Sequence, residues 1–84
     1  MSWRTVHGNW VATSIELVRL IDARPKEWLK VGDLAAQMNM PVPDLAELCR
    51  DLAGVKLLHM RTDIETHEAT EVASRKTALS ELVP

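Results

Sequence analysis

Apolar positions along this chain change their spacing several times, and each spacing predicts an element. Between Asn9 and Ala23, residues Val11, Ile15, Val18 and Ile21 follow the i, i+4, i+7 rhythm of one helical face, with Leu17 and Leu20 widening the stripe. Asn9 after Gly8 supplies an N-cap, and Pro25 ends the helix because it disfavours helical geometry at Arg24. "WLKVG" alternates over a short span and predicts a brief strand or extended link. "DLAAQMN" predicts a second helix, with Asp33 complementing the dipole in its first turn and Asn39 closing it in a left-handed conformation. A third helix is expected from Val42 to Ala53, with Leu45, Leu48, Cys49 and Leu52 as its inner stripe and Gly54 as its stop. "VKLLHM" and "THEATEVA" predict two strands around a turn near "RTDIE", although "DIETHEATEV" also has helical propensity. Ser74 is placed to cap a last helix, "RKTALSELV", whose apolar edge is Ala78, Leu79 and Leu82.

The expected fold is therefore mainly α with a small antiparallel β-hairpin, in a single domain spanning 1–84 whose first eight residues form a flexible or dimerising arm. At this length about 60–65% of the unfolded surface is buried, so the core is modest and a second subunit would add to it. The order of elements resembles the winged helix-turn-helix superfamily, from about Asn9 to Leu82. "VGDLAAQMNMPVPDLAELCRDLAGVKLLHM" is similar to the phrasing of bacterial repressors, with Leu34, Ala35, Met38 and Met40 packing the second helix on the third. Leu45, Leu48 and Leu52 match the core of the recognition helix, Gly54–Val55 match the turn into the wing, and "EVASRKTALSEL" resembles the segment after the wing in multiple-antibiotic-resistance-type repressors. Two departures from that family stand out. "PVPD" replaces the usual Ser or Thr cap of the third helix, and the wing lacks an Arg/Lys-rich tip.

Charge changes the picture. With 46% hydrophobic and 26% charged residues the chain is globular in composition, but ten Lys and Arg against twelve Asp and Glu give a net charge of −2. Binding to nucleic acid ordinarily draws its sequence-independent affinity from a basic face. A single cysteine, Cys49, excludes an internal disulfide and a zinc site built on paired cysteines, and fits a small core residue in a reducing cytoplasm. No run of apolar residues reaches signal-peptide or membrane-span length. His59 and His67 would face each other across the hairpin in one register, but their spacing matches no metal-ligand motif. No nucleophile–base pair, glycine-rich phosphate loop or carboxylate dyad is visible, so neither an enzyme nor a cofactor is expected.

The resemblance implies a small DNA-binding transcriptional regulator reading a duplex with its third helix. At about 100° per residue, turning the leucine stripe inward leaves Pro43, Glu47 and Arg50 outermost, with Ala46 to one side. Glu47 accepting from a cytosine amino group and Arg50 donating to guanine would be the base readers. Arg24, Lys26, Lys30 and Arg61 are candidates for backbone contacts, and Trp3, Val6 and Trp10 for a homodimer interface. The competing reading is a protein-interaction winged helix, an adaptor or antagonist. In it, the acids of the third helix (Asp44, Glu47, Asp51) and of the hairpin (Asp63, Glu65, Glu68) meet a basic protein.

Overall fold

The structure, a computed structural model, describes residues 10–82. Helix α1 (Trp10–Asp22) leads through a turn into a two-residue strand β1 (Leu29–Lys30), followed at once by α2 (Val31–Met38) and α3 (Val42–Gly54). A hairpin of β2 (Leu58–Thr62) and β3 (Ala69–Ser74) follows, and the described chain ends in a 3-10 turn at Leu79–Glu81. The sheet is three-stranded and antiparallel, in the order β1-β3-β2. Within "WLKVG", Leu29 and Lys30 form a true strand, Leu29 pairing with Val72 and Lys30 with Glu71, while Val31 and Gly32 open the next helix. The predicted strands lie a few residues later than expected, and the connecting loop is Asp63–Glu68.

The core joins the three described helices to the sheet. Leu17 and Ile21 of α1, Val31, Leu34 and Ala35 of α2, and Leu45, Leu48, Cys49 and Leu52 of α3 pack with Leu58 and Val72. Each fully buried leucine stabilises the fold by about 1.5–3 kcal/mol relative to exposure. The inner stripe of α3 is as expected, but that of α1 is not. Its buried residues are Ser14, Leu17 and Ile21, while Val11 and Ile15 face solvent at 51% and 49% exposure. Two apolar stripes overlap on this helix, and the one turned inward contains a serine. Ser14 tolerates burial because its hydroxyl donates to the Trp10 carbonyl at 2.7 Å. Asn9, the expected N-cap, lies outside the described residues.

Both helix ends of the α2–α3 region are left-handed closures. Asn39 adopts φ 54°, with its amide donating to Ala36 and that of Met40 to Ala35. The same pattern ends α3, but not at the glycine. Gly54 is still helical; Lys56 takes φ 62°, and the Lys56 and Leu57 amides donate to Ala53 and Leu52. The stop is positional: the chain must reverse two residues after Gly54 to carry Leu58 into the core.

The expected last helix does not form. Ser74 is the fully buried end of β3, and its hydroxyl donates to Asp22 Oδ1 at 2.6 Å while accepting from the Lys76 amide at 3.2 Å. The Thr77 hydroxyl donates to the Pro25 carbonyl, and His59 Nε2 lies 2.9 Å from the Thr77 carbonyl oxygen. These bonds hold the segment against the α1–β1 turn, so only the short 3-10 turn forms before Leu82 is buried.

A Cβ added at Gly54 meets nothing within 4 Å. Gly54→Ala is therefore expected to raise stability by up to about 1 kcal/mol, and Lys56→Gly to relieve a left-handed non-glycine residue by a similar amount. Urea denaturation of the two variants checks this; a loss of stability in Gly54→Ala would place the helix end where the sequence put it.

Candidate functional site

The outer face of α3 and the β2–β3 loop form the walls of one groove, of about 460 Å³. It is lined by Val42, Pro43, Ala46, Glu47 and Arg50 from the helix and Thr66, Glu68 and Ala69 from the hairpin. The helix residues recur at positions i, i+1, i+4, i+5 and i+8, one helical face, opposite the leucine stripe. Pro43 fits there because a missing N–H in the first turn costs no helical bond, and Asp44 beside it complements the dipole. Pro43, Ala46, Glu47 and Arg50 are thus brought together as expected.

The loop is ordered by its own polar groups. Asp63 accepts from the backbone amides of Glu65 at 2.8 Å and Thr66 at 3.0 Å. These two bonds hold its carboxyl below the ordinary carboxylate range. The Asp63 amide donates to the Glu68 carbonyl and the His67 amide to the Asp63 carbonyl, both at 2.9 Å, with His67 at φ 59°. Ile64 stands at the tip, 91% exposed. Arg50 then joins helix to loop: its guanidinium donates to the His67 carbonyl. The cation expected to read guanine is engaged within the domain, a contact that helical spacing alone does not reveal.

The other expected cations lie elsewhere. Arg24, Lys30 and Arg61 line a second groove with Glu27, Trp28, Leu29, Asp33 and Glu71, and it shares no residue with the first. Arg61 stacks on the Trp28 ring, 4.0 Å from its centroid, and its Nη1 is 3.4 Å from Glu71 Oε1. Strand register explains this, since Arg61 and Lys30 flank Glu71 in one cross-strand row. Arg24 pairs with Glu27 at 3.9 Å. Lys26 lies exposed in the turn before β1. Arg24, Lys30 and Arg61 thus line a different groove from the one on the outer face of α3. The Trp28–Arg61–Glu71 contact was not foreseen from the sequence; only the register of β1 reveals it.

His59 pairs with Ala73 while His67 sits in the loop, so the two histidines do not face each other. Among the described residues no group of three His, Cys, Asp or Glu side chains is placed to hold a metal ion. Cys49 is fully buried, and burial pushes its thiol up to about 12, as befits a core residue. Trp10 is half-exposed at the start of α1; Trp3 and Val6, its expected companions in a dimer interface, lie outside the described residues. No helix among the described residues is long and apolar enough to cross a membrane.

Comparison with family models, with curated proteins and with solved structures finds no match to this chain. No family is assigned. The groove and its charges are what the chain offers for reading its role.

Two outcomes follow from the loop. Arg50→Ala should speed amide exchange at His67 and Glu68 while leaving global stability within about 1 kcal/mol, as expected for an exposed bond. Because Asp63 is depressed in the folded state, its contribution is present above the ordinary carboxylate pKa and is lost as pH falls through the lower folded value. The Glu65 and Thr66 amide resonances should titrate with a midpoint below 3.8.

Proposed function

We propose that this chain is a winged-helix interaction module, with α2 and α3 as its helix-turn-helix and the β2–β3 hairpin as its wing. Its α3–wing face binds a protein partner that carries basic side chains. One observation supports this above the rest: Arg50, the cation lining that face, donates to the His67 carbonyl, while Glu47 and Glu68 form no ion pair among the described residues. Exposed Asp51 and Glu65 extend the same sign of charge along helix and loop. A DNA backbone brought to this face would meet more carboxylates than cations, Arg50 being the one cation of the groove lining, and the counterion-release term that supports duplex binding would be weak. A basic protein surface meets the same carboxylates favourably, chiefly gaining rate and specificity.

A second reading, a DNA-binding regulator, draws support from Lys30. It is exposed immediately before α2, without an ion pair among the described residues, and Lys26 precedes it in the turn. A phosphate at the start of α2 would meet a lysine and the free amides of the helix N-terminus. In that reading Pro43, Ala46 and Glu47 approach base edges and the protein acts as a homodimer, joined through the exposed Trp10, Val11 and Ile15 of α1.

The readings separate in one titration. By fluorescence anisotropy at low ionic strength, about 50 mM salt, the full chain should show no saturable binding to random duplex DNA. Saturable binding that weakens for Lys30→Ala, with a salt slope smaller by about one, would establish the second reading and remove the first.

A further inference from the structure

We infer that the α3–wing groove is built to take an arginine side chain from a partner segment, flanked by small or aliphatic residues. The inference rests on the protein-binding reading above and adds the chemistry of the bound segment. The groove floor is apolar: Val42, Pro43 and Ala46 from the helix and Ala69 from the base of β3. Its charged walls come from different elements, Glu47 and the loop-bound Arg50 on the helix and Glu68 on the loop, which leaves an excess of one negative charge. A guanidinium is planar, presents donors along more than one edge and is weakly hydrated, so it can serve two carboxylates on opposite walls while its flat face lies on an apolar floor. A lysine ammonium is a compact, strongly hydrated point charge and matches that arrangement less well.

The groove is also preformed. Arg50 ties the loop to α3, and Asp63 fixes the turn through the Glu65 and Thr66 amides. The wall bearing Glu68 is therefore held before a ligand arrives, which lowers the ordering cost of binding. Arg50 acts here as a positioning residue: its guanidinium donates to the His67 carbonyl and holds the loop, while the two glutamates outnumber it in charge along the groove. The volume, about 460 Å³, suits one long side chain with its neighbours rather than a folded surface.

The test uses the full ¹⁵N-labelled chain and two blocked pentapeptides, acetyl-Leu-Ala-Arg-Ala-Leu-amide and its counterpart with citrulline in place of arginine. Citrulline keeps the shape and removes the charge. The arginine peptide should shift the amides of Ala46, Glu47, Thr66, Glu68 and Ala69 saturably, and the citrulline peptide should bind about tenfold more weakly. Glu47→Gln and Glu68→Gln, both at exposed positions, should each weaken the arginine peptide about threefold or more, their unperturbed spectra showing that the fold is kept. Equal binding of the two peptides, no saturable shift up to millimolar peptide, or shifts centred away from the groove would overturn the inference. Basic sequences selected from a random peptide library separate this failure from that of the broader reading. If they bind through Asp51 and Glu65 while the groove amides stay still, the groove inference falls and the protein-binding reading stands. If none depends on the acids of α3 or the loop, both fall.

Discussion

Val72 is fully buried in the middle strand, paired with Leu29 on one side and Met60 on the other, and all three helices contact that strand. The described structure depends on β3 being held in this way. β1 is only two residues long and has no other strand partner among the described residues, so it exists because β3 offers it an edge. The hairpin likewise needs the helices, since an isolated two-stranded hairpin is marginal in water. α1 reaches the same strand through its C-terminal end. Asp22 accepts from Ser74, the last residue of β3, and Lys76 Nζ lies 3.5 Å from the other Asp22 oxygen. A small domain with a modest core gains from such links, because each joins segments more than fifty residues apart at the point where the sheet ends.

With β3 fixed, the placement of charge follows. Register puts Lys30, Glu71 and Arg61 in one row, and Arg61 settles between Trp28 and Glu71. That arrangement stabilises the outer surface of the sheet, with a cation–π contact of about 0.5–1 kcal/mol. On the other side, the loop folds toward α3 and its His67 carbonyl takes the guanidinium of Arg50. Two arginines that look available along the chain thus have partners within the domain, while Glu47 and Glu68 beside Arg50 are exposed. The net charge of −2 understates this asymmetry, because what a partner meets is the local distribution.

Helices α2 and α3 were legible because packing and periodicity agree there. Leu45, Leu48, Cys49 and Leu52 form one stripe, and Glu47 and Arg50 mark the face opposite it as polar. On α1, Val11 and Ile15 formed a stripe as regular as the true one, and the serine at position 14 disguised the buried side. Periodicity cannot rank two apolar stripes on one helix; only the neighbour that covers one of them can. The last segment failed for a related reason. Ser74 has the chemistry of a helix cap, but its hydroxyl is drawn to Asp22, and Thr77 is held at Pro25. Both partners lie about fifty residues away in the chain, beyond the reach of any local pattern.

The order and type of most elements, the inner face of α3, the left-handed closure at Asn39 and the shared outward face of Pro43, Glu47 and Arg50 are determined by the sequence itself. Each depends on spacing or backbone preference within about one or two helical turns. Tertiary structure alone decided which stripe of α1 is buried, that the left-handed closure after α3 falls at Lys56 rather than at Gly54, and that β1 joins the sheet. It also decided that Arg50 bonds to the loop and Arg61 stacks on Trp28, and that Glu47 and Glu68 line one groove. Those outcomes depend on contacts between residues far apart in the chain, where the energy of a side chain is set by what lies against it rather than by its neighbours in sequence.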